Sequence, residues 1–146
     1  MPGAVLHVRG ENFDPDTVLP ATSLRPYQAY RNGEPMFSPL AEGSLREMLH
    51  KSGGFKCDVS LADGLLSTQV GDALAFLTQH YSDLARLSNN PTITDIYIDF
   101  GYNLRLDGER VMVQCDFLPH ELLRVAGELR IAFELSLYPP LSNSGD

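Results

Sequence analysis

Four histidines, His7, His50, His80 and His120, are the side chains best suited to hold a metal or to move a proton near neutral pH. Their spacing gives neither H-x-x-x-H nor H-E-x-x-H, and Cys57 and Cys115 form no Cys-x-x-Cys, so no two ligands share a helix face or a tight turn. No metal and no cofactor is expected. His7 and His80 read as partly exposed positions at the edge of a strand face and of a helix face. His120 falls in the first turn of a helix, where the dipole disfavours its charged form. Asp95 and Asp99 share one face of a strand with Tyr97, and Asp58 lies on a similarly polar strand face. Such carboxylates can act as acid and base where a cleft raises one pKa by burial. A solvated outer face of a sheet open on one side gives the same alternation. Gly10-Glu11-Asn12-Phe13-Asp14 lacks the spaced glycines and the lysine of a phosphate loop, and no G-x-S-x-G elbow occurs. No catalytic residue is therefore assigned, and an enzyme is not the expectation.

Arg25, Tyr27, Tyr30 and Arg31 bring two guanidinium groups and two phenols into one short segment. Arginine makes forked bonds to anions and tyrosine adds rigid contact area, so these four form the candidate binding patch. The competing reading is an edge strand whose charges protect it from aggregation.

The formal charge of −8 and pI near 4.8 repel phosphate backbones. Lys51 and Lys56 are the only lysines, and the arginines are scattered singly, so no basic stripe follows a groove. Nucleic acid is not an expected partner, whereas a basic protein is. The first residues lack a basic leader, and no apolar run approaches the roughly 20 residues of a membrane helix. The chain is expected in the cytoplasm, without a membrane partner. Cys57 and Cys115 both fall in apolar strand patterns and read as reduced core thiols.

The elements that must position these side chains follow from periodicity. Residues 4 to 9 alternate as a strand, with Ala4, Leu6 and Val8 on one face. Asp14-Pro15 opens a short helix, and Ser23 to Tyr30 reads as a short strand closed by the Asn32-Gly33 turn. Glu34 to Gly54 is rich in proline and glycine and reads as a long surface excursion. Within it, Ser44 and Glu47 match a capping box for a helix from Ser44 to His50, with Leu45, Met48 and Leu49 as its apolar side. Phe55, Cys57, Val59 and Leu61 mark a half-buried strand, and Val70 to Leu84 supply the apolar stripe of one long helix over 68–87. Asp95 to Phe100 is expected to pair in a hairpin with Arg110 to Cys115, through a turn at Asp107-Gly108. Pro119 opens the last helix, Gly127 is placed to end it, and Leu129 to Tyr138 forms the final strand.

The expected fold is α+β. It has a mainly antiparallel sheet of about five or six strands, two main helices packed on one face, and a short helix in the excursion. One domain should span residues 1–138, with a flexible tail over 139–146. Phe55, Val59, Leu74, Leu77, Ile98, Val113, Phe133 and Leu135 are the expected core.

The order of features resembles the bacterial domain of unknown function family 4279. It runs His7-Val8-Arg9-Gly10, Phe13-Asp14-Pro15, Arg31-Asn32-Gly33-Glu34, a Gly53-Gly54-aromatic strand, a long helix, a strand, and a Pro119 helix leading through Gly127-Glu128-Leu129. The resemblance covers most of the chain. Family members carry tryptophan where this chain has Phe55, and the stretch from Phe37 to Lys51 is longer than expected. What the resemblance implies is a small α+β fold with no established activity. The function expected from the residues is a non-enzymatic binding or interaction module, of immunity or regulatory type, with an acidic surface for a basic partner. The alternative is a small-ligand protein or enzyme with a pocket under the 34–54 excursion.

Overall fold

A computed structural model describes residues 3–38 and 40–140. Five strands form one sheet: β1 (Ala4–Gly10), β2 (Gln28–Tyr30), β3 (Gly53–Ser60), β4 (Asp95–Asn103) and β5 (Ala132–Tyr138), in the order β2-β3-β1-β4-β5. The helices are α1 (Leu66–Gln79), α2 (Tyr81–Ser88) and α3 (His120–Glu128). The expected α+β class holds. All neighbouring strands run antiparallel except β4 and β5, which are parallel because α3 lies between them in the chain.

One sheet face is apolar because alternate residues point the same way. Ala4, Leu6 and Val8 of β1, Phe55 and Cys57 of β3, and Ile96, Ile98, Phe100 and Tyr102 of β4 are buried there. Against them pack Val70, Ala73 and Leu77 of α1, Leu84 and Leu87 of α2, and Leu122, Val125 and Ala126 of α3. Phe133 of β5 meets Phe100 edge to face, with centroids 5.3 Å apart.

Several expectations are corrected. The stretch 110–115 is not a strand, so there is no hairpin; β4 instead takes β5 as its outer neighbour. Asp107 holds 109–111 in a turn by accepting from the amides of Glu109, Arg110 and Val111, which competes with a ladder there. Val113 is consequently 72% exposed and Leu135, on the edge strand, 43% exposed; neither is core. Phe55, Leu77 and Ile98 are fully buried, and Val59, Leu74 and Phe133 pack partly buried against the core.

The single long helix is two. His80, with φ −103° and ψ 18°, ends α1 and precedes α2, and Leu84 keeps an amide bond to the His80 carbonyl. Because the break preserves the apolar side, the sequence period runs through it unchanged. Alternation in β3 fails at its end for a different reason. Ala4 pairs with Ser60 but Val5 with Asp58, so a bulge at Val59 turns Ser60 inward and leaves Leu61 81% exposed.

In the excursion, a 3-10 turn covers Gly43–Glu47 and begins at Glu42 without any side-chain cap, so the Ser44–Glu47 capping box does not form and no helix reaches His50. Leu45, Met48 and Leu49 are all exposed. The segment after Asp14-Pro15 is also 3-10, with Asp14 accepting from the Asp16 amide. Gly127 lies inside α3, and the left-handed residue after the helix is Arg130, at φ 54°. Most of the expected tail, 141–146, lies outside the described residues.

Candidate functional site

The second face of the sheet carries the side chains that alternate with the core. Register sets Lys56, His7 and Tyr97 side by side on β3, β1 and β4, and sets Gly54, Arg9 and Asp95 in the row beside them. His7 and Tyr97 stack with centroids 4.6 Å apart and planes 4° from parallel. The Arg9 guanidinium carbon lies 5.7 Å from the Tyr97 ring centre while its Nε donates to Asp95 at 3.0 Å.

The excursion folds back over this face. The amides of Gly33 and His50 donate to the carbonyls of His50 and Glu34 at 2.8 Å each, and the Met36 amide donates to the Met48 carbonyl at 2.9 Å. These bonds make its base a short antiparallel ladder. The ladder places His50 against Tyr30, whose rings stack at 4.2 Å and 16°. Between sheet and excursion lies a cleft of about 740 Å³, lined by His7, Arg9, Tyr30, Lys56 and Tyr97 below and by Met36, Glu47, Met48, Leu49, His50, Lys51 and Ser52 above.

Arg9, Lys51 and Lys56 line the cleft against one acid, Glu47, although the chain as a whole is acidic. Both lysines line it, and among the described residues neither ammonium group has a hydrogen bond or an ion pair. Burial lowers the His7 pKa first and the Lys56 charge lowers it further; Asp99 pulls the other way, and Arg9 adds the smallest lowering. Burial raises the Tyr30 and Tyr97 hydroxyls above the ordinary phenol value, with Arg9 opposing in each case. The cleft holds two stacked aromatic pairs beside Arg9, Lys51 and Lys56. Cations and aromatic rings facing one concave space can bind and orient an anion.

The residues singled out from sequence are distributed unevenly around it. Tyr30 is buried and lines the cleft, but Arg31 turns away, donating to both Asp16 and Glu34. Tyr27 is 55% exposed and Arg25 is exposed outside the cleft, so the four do not make one surface. Asp95 and Asp99 do flank Tyr97 on the polar face, where Asp95 pairs with Arg9 and Asp99 accepts from the Ser136 hydroxyl at 2.6 Å. Asp58 is exposed. Of the histidines, His7 and His50 enter the cleft; His80 and His120 do not. Among the described residues no group of three histidines, cysteines or acids is placed to hold a metal.

Sequence reasoning missed the convergence of His7, His50, Lys51 and Lys56. The signal available was that both lysines flank Gly53-Gly54 within six positions, in a chain otherwise without lysine. It also missed Ser23, whose hydroxyl lies 2.9 Å from His80 Nδ1 and donates to Asp83 at 2.7 Å. Asp83 accepts the serine proton itself and also the Ser23 amide, and with Arg86 this holds its carboxyl below the usual range. This differs from a triad, in which the carboxylate orients the imidazole; here it ties the 22–24 segment to α2. A second cavity, of about 580 Å³, lies between the start of α1 and residues 103–119, where Arg105 is paired with Asp116. Among the described residues no helix is long and apolar enough to cross a membrane. Compared with known protein families, curated proteins and solved structures, the chain matches none.

Proposed function

We propose that this chain is a non-enzymatic ligand-binding domain whose site is the cleft between the polar sheet face and the 34–52 excursion. The observation that carries this reading is the gathering of both lysines, Arg9 and two stacked aromatic pairs in one concave place on an acidic chain. Ligand sites are concave, mostly apolar and furnished with a few convergent polar groups, and Met36, Met48 and Leu49 supply the apolar part. The kinship to the domain of unknown function family 4279 is proposed alongside and adds no activity to this reading.

A metabolite panel read by thermal melting tests it. A compound at one hundred times its dissociation constant adds about 2.7 kcal/mol, which a melt detects. Amide shifts of the isotope-labelled chain should then concentrate on His7, Tyr30, Lys56 and Tyr97. A panel without any shift in melting, or shifts mapping to the opposite side of the sheet, would sink the proposal.

A second reading is favoured by the same distribution of charge. With both lysines in the cleft, the rest of the surface has only scattered arginines, and Arg31, Arg86, Arg105 and Arg124 are already paired with acids. Such an exterior suits a basic protein partner, as in an immunity-type antagonist held in the cytoplasm. Its association rate should fall steeply with salt. A rate indifferent to salt argues against it.

A further inference from the structure

Resting on that reading of the cleft, we propose that its ligand is a small organic anion bearing a flat ring, with the anionic group at Lys51 and Lys56 and the ring against the stacked aromatic pairs.

The anion follows from the lysines. This chain has 19 acidic residues, and Arg9, Arg31, Arg86, Arg105 and Arg124 each hold a carboxylate. Among the described residues Lys51 and Lys56 hold none, although Glu47 lines the same cleft. Two like charges facing one partly enclosed space repel each other, and a bound anion relieves that repulsion.

The ring follows from the walls. His7 and Tyr97 stack on the sheet, Tyr30 and His50 stack where β2 meets the excursion, and a flat ligand ring finds aromatic edges or faces on both sides. Met36 and Met48 close over it with unbranched thioether side chains that fit varied outlines. An inorganic anion would leave these apolar and aromatic walls unused. A neutral ring would leave the ammonium groups unpaired. A long polyanion would meet the net charge of −8 outside the cleft, so the ligand is small.

The test is calorimetric titration of the full chain at low salt with four probes: adenosine monophosphate, 2-naphthoate, adenosine and inorganic phosphate. At least one ring-bearing anion should bind about tenfold or more tightly than both adenosine and phosphate. Which of the two does so separates phosphate from carboxylate recognition. The double variant Lys51→Gln/Lys56→Gln, altered where the side chains bear no bonds to other described residues, should lose about tenfold for that anion and nothing for adenosine. Tyr97→Leu should weaken the anion as well. Adenosine binding in the cleft as tightly as adenosine monophosphate overturns the anion and keeps the cleft as a ligand site. Phosphate binding as tightly overturns the ring. No saturable binding of either ring-bearing anion overturns the inference, while the wider panel still decides the cleft. Binding that ignores the lysine variant and shifts amides elsewhere overturns both readings.

Discussion

His7 on β1 and Tyr97 on β4 are register partners whose rings lie stacked 4.6 Å apart, in a place where protonating the imidazole is opposed by burial and by two neighbouring cations. The folded state therefore binds the His7 proton less tightly than the unfolded state does. Stability from this group is fully present above the ordinary imidazole value, about 6.5, and is lost as pH falls below it through the lowered folded value. The groups facing His7 are Lys56, Arg9, Tyr97 and Asp99, and of these Asp99 alone works against the shift. Urea unfolding from about pH 7.5 to 5 should show wild type losing more stability than His7→Phe, which has no proton to gain. Parallel curves would show that His7 titrates as a free imidazole does. The lowered carboxylates Asp16, Asp83, Asp107 and Asp116 act in the same sense but below about pH 4, so the two contributions separate along the pH axis.

Phe55 and Val113 were both read as core from the same alternating pattern, and the structure separates them. Phe55 is fully buried on β3, and Val113 is 72% exposed in a loop. Phe55→Ala should cost roughly 3 to 5 kcal/mol, the usual range for a buried aromatic. Val113→Ala should stay within about 0.5 kcal/mol of wild type. Chemical denaturation of the two variants decides it, and a Phe55→Ala loss below about 1 kcal/mol would contradict the packing of β3 against α1.

That pair also shows what could be read in advance. Alternation identified β1, β3 and β4 because each has one face fully buried and one polar, which fixes side-chain direction residue by residue. It cannot say which edge a strand finds. The apolar run at 111–113 competes with β5 for the free edge of β4, and the Asp107 turn together with α3 decides in favour of β5. The cleft was legible only as a long excursion over a polar strand face. His7, Tyr30, His50, Lys56 and Tyr97 come from separate stretches of sequence, and only sheet register and the 33–50 ladder bring them together. The four-residue patch at 25–31 was drawn from sequence adjacency, whereas a strand sends neighbours to opposite faces and Arg31 had acids of its own to reach.

Gly54 supports one wall of the cleft by having no side chain. A Cβ built there would lie 2.5 Å from the Tyr30 hydroxyl oxygen and would also press on the Val8 carbonyl across the ladder. The tyrosine can swing, but the backbone of β1 cannot move without breaking its pairing with β3. Gly54→Ala should therefore destabilise the chain by about 1 to 3 kcal/mol and displace Tyr30 from its stack on His50. Near-ultraviolet circular dichroism of the tyrosines, with unfolding in urea, measures both effects. Unchanged stability and an unchanged spectrum would mean that Tyr30 does not lie over Gly54.

The two cysteines should behave as different chemical species. Cys57 is buried in β3, and burial, aided by the charge of Asp58, pushes its thiol up to about 12, so almost no thiolate exists near neutral pH. Cys115, read from sequence as a core residue like Cys57, is exposed and in no disulfide, in the loop before α3. Because the thiolate is the nucleophile, a disulfide reagent such as Ellman's should consume one thiol of the native chain quickly and the other only when the chain opens. Cys115→Ser should abolish the fast phase, and Cys57→Ser should leave it intact. Guanidinium should merge the two rates by exposing β3. Equal rates in the native chain would place Cys57 at the surface, and with it the residues of β1 and β4 that bury it.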